Sequence, residues 1–211
     1  MSATVPDAVI NRLPAYYRHL QALEEEGVEN VSSQTLGERM HQTPSQIRQD
    51  INFFGGVGRQ GYGYNVAMLR QHLMRILGLE EHHDMIVLGA GSIGTALARY
   101  PGFAADGFII RALFDTDSEK TGGEICGIPV LNVGELDRYL AEHRVDIAVM
   151  AVPSEAAQGL LHRLEEGGVT AVWNFSPLDL QHSTSQMQVV NVHLGDSLKT
   201  LSYRMCHREE H

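Results

Sequence analysis

An apolar strand that runs directly into a glycine-rich turn constrains this chain most. Residues 84–88 read Asp-Met-Ile-Val-Leu, residues 89–94 read Gly-Ala-Gly-Ser-Ile-Gly, and a helical pattern follows. In such a G-x-G-x-x-G turn the first glycine makes the bend, the second admits a pyrophosphate, and the third packs the helix on the strand. The turn therefore predicts a dinucleotide site formed by Gly89, Ala90, Gly91, Ser92, Ile93 and Gly94.

The next apolar run supplies the second part of this fingerprint. Residues 108–114 read as a strand and end at Asp115, which stands roughly 20 residues beyond the turn, where an acid bonds the ribose hydroxyls. A carboxylate there disfavours a 2′-phosphate, so the predicted cofactor is NAD(H). A Rossmann sheet without a cofactor remains an alternative, because fold does not guarantee a ligand.

Alternating strand and helix patterns continue to residue 193 and predict a Rossmann-type doubly wound parallel sheet over residues 81–193. Val152 and Pro153 come at the end of one strand pattern, where the ligand crevice forms in such sheets. The predicted further strands are residues 128–131, 145–152, 171–175 and 189–192.

A helix-turn-helix pattern precedes the sheet. Thr43 can cap a helix with Pro44 at its first position and Gln46 completing a capping box, and Ser33 can cap a shorter helix over residues 34–40. The apolar stripe of the second helix is Ile47, Ile51 and Phe54. Its polar side chains suit base edges, so we predict DNA contacts from Ser45, Gln46, Arg48, Gln49 and Asn52.

A glycine-rich ribbon follows this helix. Residues 54–65 read FGGVGRQGYGYN, and glycines at these positions permit a tight β-ribbon. It resembles a wing that carries Arg59, Tyr62 and Tyr64 outward to DNA. Asn65 then begins another amphipathic helix. We predict a winged-helix DNA-binding domain over residues 1–80, although helix-turn-helix pairs also occur in structural roles.

The charge distribution is compatible with this interpretation. The formal net charge is −10, which is unusual for a protein that neutralises phosphates. Between Met40 and Arg75, however, four arginines stand against Asp50 alone. A small basic surface on an acidic protein fits DNA binding while disfavouring strong non-specific affinity.

The residues after the sheet are too few for a catalytic domain. Residues 194–211 carry Leu194, Leu198, Leu201 and Met205 on one helical face, which predicts either dimerisation or a cap on the chain's own domain. Neither a membrane span nor metal-ligand spacing is visible, so we expect a cytoplasmic protein without a metal.

Together these segments resemble the redox-sensing transcriptional repressor Rex family over essentially the whole chain. The resemblance implies a homodimer with exchanged C-terminal helices, which binds palindromic operator DNA and releases it when NADH binds. It also implies that Tyr100 lies near the nicotinamide and that Arg18 helps to lock one of the two states. The matching segments are residues 47–50, 53–55, 58–64, 76–79, 89–94, 100–103, 114–117, 152–158 and 174–177.

Two positions depart from the family pattern. Gln49 stands where Rex proteins usually carry lysine, so the operator preference can differ. His193 stands where they usually carry an aspartate that pairs with the arginine and tyrosine of the switch. Either Asp196 replaces that acid one helical turn later, or the redox response is altered, because an imidazole titrates near neutrality.

Three functions follow in order of preference. The first is a repressor that senses the NADH/NAD⁺ ratio. The second is a Rex-like DNA-binding regulator whose redox response is altered or lost, which His193 motivates. The third is a small NAD-dependent oxidoreductase, but the crevice offers no convincing general acid or base, so we expect the chain not to be an enzyme.

Overall fold

The structure is a computed structural model, and it describes residues 5–54, 58–59, 63–181 and 187–207. The chain forms two compact units, residues 1–81 and 82–211. In the described ranges, no helix has the length and apolar character that crossing a membrane requires.

The described part of the first unit combines helices with a small antiparallel sheet. The helices are α1 (Asp7–Ile10), α2 (Leu13–Glu25), α3 (Ser33–Met40), α4 (Pro44–Phe53) and α5 (Val66–Ile76). The strands are β1 (Asn30–Val31), β2 (Gly58–Arg59) and β3 (Gly63–Asn65), and β3 lies between the other two. Helix α4 thus follows α3 after a short turn and precedes the β2–β3 ribbon, which is the order predicted for a winged helix.

Side-chain caps begin three of these helices. Ser32, Thr43 and Asn65 each accept a hydrogen bond from the backbone N–H three residues later, at 3.0, 3.2 and 2.9 Å. The predicted starts of α4 and α5 are confirmed. The predicted cap Ser33 is wrong by one residue, because Ser32 has the extended backbone that a cap needs and Ser33 is already helical.

The start of the chain forms two short helices rather than one long one. Helix α1 ends at Ile10, and α2 begins at Leu13 with Pro14 in its first turn, a position where proline's missing N–H costs nothing. Ile10, at the end of α1, is exposed, whereas Tyr16 of α2 is buried and the neighbouring Tyr17 is only partly buried.

The core of the first unit lies between α2, α4, α5 and the small sheet. Of the predicted stripe on α4, Ile47 and Ile51 are buried and Phe54 is partly buried at the helix end. The other buried members are Leu13, Tyr16, Leu20, Leu23, Val31, Leu36, Tyr64, Val66, Leu69 and Leu73.

The second unit is built on a seven-stranded sheet. Its strands are β4 (His83–Leu88), β5 (Phe108–Asp115), β6 (Glu124–Ile125), β7 (Ile128–Asn132), β8 (Ile147–Met150), β9 (Ala171–Asn174) and β10 (Gln188–Asn191). The order is β10-β9-β8-β4-β5-β7-β6, and every pairing is parallel except that of β6 with β7. The chain leaves central β4 towards β5 on one side and later returns to β8 on the other, so a crevice opens at the carboxyl end of β4.

Helices cover both faces of this sheet. They are α6 (Ser92–Ala98), α7 (Gly102–Ala105), α8 (Leu136–Glu142) and α9 (Ser154–Glu166). Because side chains alternate along a strand, Ile86 and Leu88 of β4 belong to a core shared with α8 and α9. Met85 and Val87 belong to the opposite core, to which α6 contributes Leu97.

The last helix, α10 (Leu194–Cys206), is exposed along its whole length. Leu194, Leu198, Leu201 and Met205 are between 52% and 67% exposed. The alternative in which this tail caps its own domain is therefore wrong for the chain as described, because no α10 side chain is buried against it.

Candidate functional site

The turn after β4 requires glycine at two positions for different reasons. Gly89 has a φ of +100°, and a Cβ there would overlap the carbonyl oxygen of Ala151. A Cβ on Gly94 would overlap the carbonyl oxygen of Gly89, so α6 lies closely against the turn. A Cβ on Gly91, by contrast, would have no atom within 4 Å. The fold therefore does not require glycine at position 91, and the open side of Gly91 leaves room for a pyrophosphate to approach the backbone.

Asp115 is fixed at the end of β5 by the same turn. Ala90 N–H donates to Asp115 Oδ2 at 2.8 Å, and Asp117 N–H donates to Oδ1 at 2.9 Å. Lys120 Nζ lies 3.4 Å from Oδ2. Burial raises the pKa of Asp115, but these hydrogen bonds outweigh it and hold the pKa below its ordinary value. The carboxylate therefore stays ionised as a hydrogen-bond acceptor.

A cavity of about 380 Å³ opens beside this turn. Of the predicted cofactor residues, Gly89, Gly91, Asp115, Val152 and Pro153 line it, whereas Ala90 and Gly94 are buried behind it and Ser92 and Ile93 begin α6. The other lining residues are Leu88, Phe114, Thr116, Asp117, Lys120, Val133, Ala151, Ala156 and Leu160.

Lys120 is the one cation among the described lining residues, and sequence reasoning missed it. It lies 3.4 Å from Asp115 and 3.5 Å from Asp117. Lys120 follows Asp115 by only five positions, and this spacing was the sequence signal that could have placed it at the cavity. An ammonium group between two carboxylates moderates the negative charge of this end of the cavity.

Tyr100 does not line this cavity but belongs to a row of aromatic rings beyond α6. It is 59% exposed, and its ring meets that of Phe103 edge-on at 4.8 Å. Phe103 meets Trp173 at 5.7 Å, and Trp173 meets Phe175 at 4.6 Å. Tyr100 is thus an accessible ring at the end of a packed series.

On α4, the predicted DNA-contacting side chains divide into two groups. Ser45, Arg48, Gln49 and Asn52 are exposed, and Arg48 Nη1 also donates to Ser33 Oγ at 3.0 Å. Gln46 is half-buried because its side chain turns towards Asp50. The expected capping box is wrong for that reason: Gln46 Nε2 donates to Asp50 instead of reaching back to the cap.

The ribbon presents its residues differently from the prediction. Tyr64 is not directed outward: it is 9% exposed and belongs to the core, because β3 is the middle strand and Tyr64 is on its inner face. Burial raises the pKa of Tyr64. Arg59 lies in β2, but its side chain and the whole of Tyr62 are outside the described residues.

A buried carboxylate on α4 was not predicted. Asp50 is 1% exposed and accepts from Arg12 Nε at 2.7 Å, Arg12 Nη2 at 2.8 Å, the Tyr16 hydroxyl at 2.9 Å and Gln46 Nε2 at 2.7 Å. Burial raises the pKa of Asp50, and the hydrogen bonds from Arg12, Gln46 and Tyr16 lower it further than burial raises it. Its position could have predicted this burial, because Asp50 lies three residues after Ile47 on the buried side of the helix.

The predicted switch residues are distributed over both units. Arg18 is exposed on α2, in the first unit, and Tyr100 and His193 are in the second. His193 Nε2 lies 3.0 Å from Asp179 Oδ1. Asp196 pairs with Lys199 at 2.9 Å, and that hydrogen bond lowers the pKa of Asp196.

Comparisons with known proteins agree with both units. A family model described as "Putative DNA-binding protein N-terminus" matches residues 4–52, and one described as "CoA binding domain" matches residues 80–178. The chain is 44% identical over 202 residues to the redox-sensing transcriptional repressor Rex of Caldanaerobacter subterraneus subsp. tengcongensis, covering 96% of this chain and 90% of that protein. The chain belongs to the Rex family.

Other Rex proteins match equally well. The Rex repressor of Clostridioides difficile is 43% identical over 198 residues and is covered to 94%, as is this chain. A crystal structure of RSP, a Rex-family repressor, in complex with β-NAD⁺ and operator DNA matches with a TM-score of 0.91 and 42% identity, covering 98% of this chain and 95% of that one. RSP in complex with β-NADH matches with a TM-score of 0.90 and 40% identity, covering 98% and 97%. The predicted family and the predicted two-part fold are confirmed.

Proposed function

We propose that this chain is a transcriptional repressor that binds operator DNA as a homodimer and releases it when NADH binds. The observation that carries the proposal is the pairing of two sites in one chain: a turn with an open Gly91 beside the fixed carboxylate of Asp115, and a capped α4 with an exposed polar face. The similar RSP structures, one with β-NAD⁺ and operator DNA and one with β-NADH, support this assignment.

Fluorescence anisotropy with operator DNA tests the proposal. We expect NADH to weaken operator binding about 5- to 150-fold, the usual range of coupling between two sites, and NAD⁺ to weaken it much less. Coupling is reciprocal, so operator DNA should weaken NADH binding by the same factor. An NADH affinity that operator DNA leaves unchanged would refute the repressor mechanism.

A second candidate is a DNA-binding regulator with an altered redox response. It is favoured by His193, whose imidazole lies against Asp179, at a position where the family resemblance expects an acid. Titration with each nucleotide separates the two candidates. Equal affinity for NAD⁺ and NADH would remove the redox switch, because ligands that do not discriminate between states shift nothing.

We propose regulation rather than catalysis for the cavity. Its ionisable lining residues are Asp115, Asp117 and Lys120, and hydrogen bonds or ion pairs among them and the turn engage all three. None is histidine, which most often serves as general acid or base. Turnover of NADH with a carbonyl substrate would contradict this proposal.

Replacing Asp115 with asparagine should change nucleotide preference. Asparagine has the same shape, but its NH₂ group cannot accept one of the two backbone N–H bonds that Asp115 receives. Its single oxygen is a weaker acceptor for ribose hydroxyls, and the neutral amide does not repel a 2′-phosphate. We expect NADH to bind about 10-fold more weakly and the preference for NADH over NADPH to narrow by a similar factor. Isothermal titration with both nucleotides measures this. Asp117→Asn is the matched control in the same cavity, and an unchanged NADH/NADPH ratio in Asp115→Asn would contradict the role of Asp115.

A further inference from the structure

The Asp50 carboxylate determines how Gln46 is presented. A carboxylate offers about four acceptor positions and no donor when ionised, and the four hydrogen bonds from Arg12, Tyr16 and Gln46 occupy them. Because Asp50 can only accept, the Gln46 amide must direct its nitrogen at it. The acceptor-only carboxylate of Asp50 therefore fixes the orientation of the Gln46 amide.

The carbonyl oxygen of Gln46 is left available as a result. Within the described residues, Gln46 Oε1 accepts no hydrogen bond, while Nε2 is held 2.7 Å from Asp50 Oδ1. A free glutamine can present its amide either way round. The hydrogen bond to Asp50 instead fixes the orientation of the Gln46 amide, with Oε1 as its acceptor atom.

Gln49 provides the internal contrast. It lies one turn further along α4, is exposed, and has no side-chain hydrogen bond to the described residues. Its amide can rotate, and either end can meet a base. The two glutamines of this helix thus differ in freedom although their residue type is the same.

The cluster also joins α4 to α2. Arg12 is the residue just before α2, and Tyr16 lies in its first turns. Both are far from Asp50 in sequence, so the amide orientation depends on how the two helices pack. Removing the charge of Asp50 would release Gln46 without deleting any surface group of α4.

We propose that Asp50 is a positioning residue for base readout, which fixes Gln46 so that its carbonyl oxygen accepts from an exocyclic amino group of adenine or cytosine in the major groove. This inference rests on the proposed function. Amino groups are the major-groove donors, while N7, O6 and O4 are acceptors. A fixed acceptor therefore selects for the amino group.

The test combines base analogues that lack one functional group with protein variants that lack one side-chain group. The wild-type full-length protein first selects a duplex from a randomised pool. Each half-site base is then replaced by an analogue that lacks its amino group (purine for adenine, 2-pyrimidinone for cytosine) or its N7 (7-deazapurines). Affinities are measured by anisotropy for wild type and for Gln46→Ala, Asp50→Asn and, as matched control, Gln49→Ala.

At one base position of the half-site, we expect removal of the amino group to weaken DNA binding by the wild type about 3- to 10-fold per half-site. The same removal should not change DNA binding by Gln46→Ala. For Asp50→Asn, removal of this amino group should no longer reduce affinity, while replacements at the other base positions should reduce it as in the wild type. For Gln49→Ala, removal of this amino group should still reduce affinity. A purely structural Asp50 would instead lower every affinity uniformly and leave the penalty intact, which would overturn the proposal.

The other possible results also test the inference. If the position that depends on Gln46 responds to loss of N7 and not of the amino group, or if no position depends on Gln46, the inference is wrong. Should Asp50→Asn fail to unfold cooperatively, the wild-type and Gln46→Ala measurements still determine which group is read. A wild-type protein that selects no sequence would refute the proposed function itself.

Discussion

Replacing Gly91 with alanine is expected to remove tight NADH binding without disturbing the apo protein. The added Cβ meets no atom within 4 Å, and Gly91 has a negative φ that alanine adopts without strain. The same methyl group would occupy the space in which the backbone approaches a pyrophosphate. We expect NADH affinity to fall at least about 100-fold, and the variant should remain on operator DNA at NADH concentrations that release the wild type. Titration calorimetry and anisotropy measure the two effects.

Two other glycines serve as controls for Gly91. Gly159, in α9, also has open space around a Cβ, so Gly159→Ala should leave NADH affinity unchanged and stabilise the helix slightly. Gly94→Ala should instead lower the melting temperature, because its Cβ would overlap the backbone of Gly89. Wild-type NADH affinity in Gly91→Ala would show that no phosphate approaches this turn.

Local sequence signals were sufficient for most of the fold. The Thr43 and Asn65 caps, the proline at the start of α4 and the strand–turn–helix around Gly89 depend on neighbours within four residues, so spacing alone locates them. One predicted strand was longer than the observed one. Residues 145–152 read as one apolar strand, yet β8 covers only Ile147–Met150, because the apolar residues continue past the end of the strand, where Ala151 and Val152 are partly buried.

The positions of Tyr64 and Asp50 were missed because their surroundings come from distant segments of the chain. Tyr64 is aromatic in a glycine-rich ribbon, a pattern typical of a DNA-contacting wing, but pairing of β3 with both β1 and β2 places it inside. Asp50 was assigned to neither face of α4, yet it is buried, and Arg12, 38 positions earlier, pairs with it there. Residue type alone does not reveal a partner that only tertiary packing supplies.

Helix α10 should be required for operator binding, although it is distant in sequence from α4. Its apolar face of Leu194, Leu198, Leu201 and Met205 is exposed in the single chain, a cost that burial against a second copy would offset. Changing Leu198 and Leu201 together to aspartate would place two charges in that contact. We expect a monomer whose operator affinity is reduced roughly 100-fold or more, because each half-site would then be bound independently.

Sedimentation and operator anisotropy measure the two consequences of this double variant. Thr200→Asp is the control, since it adds a charge to α10 away from the apolar face, and it should remain dimeric with normal operator binding. NADH should still bind the monomer, because the described residues that line the cavity end at Leu160, well before α10. A double variant that remains dimeric would show that α10 is not the contact, whereas a monomer with undiminished operator affinity would show that the protein does not need two half-sites. Loss of dimer and operator binding together, with NADH binding retained, would separate assembly from cofactor recognition in this chain.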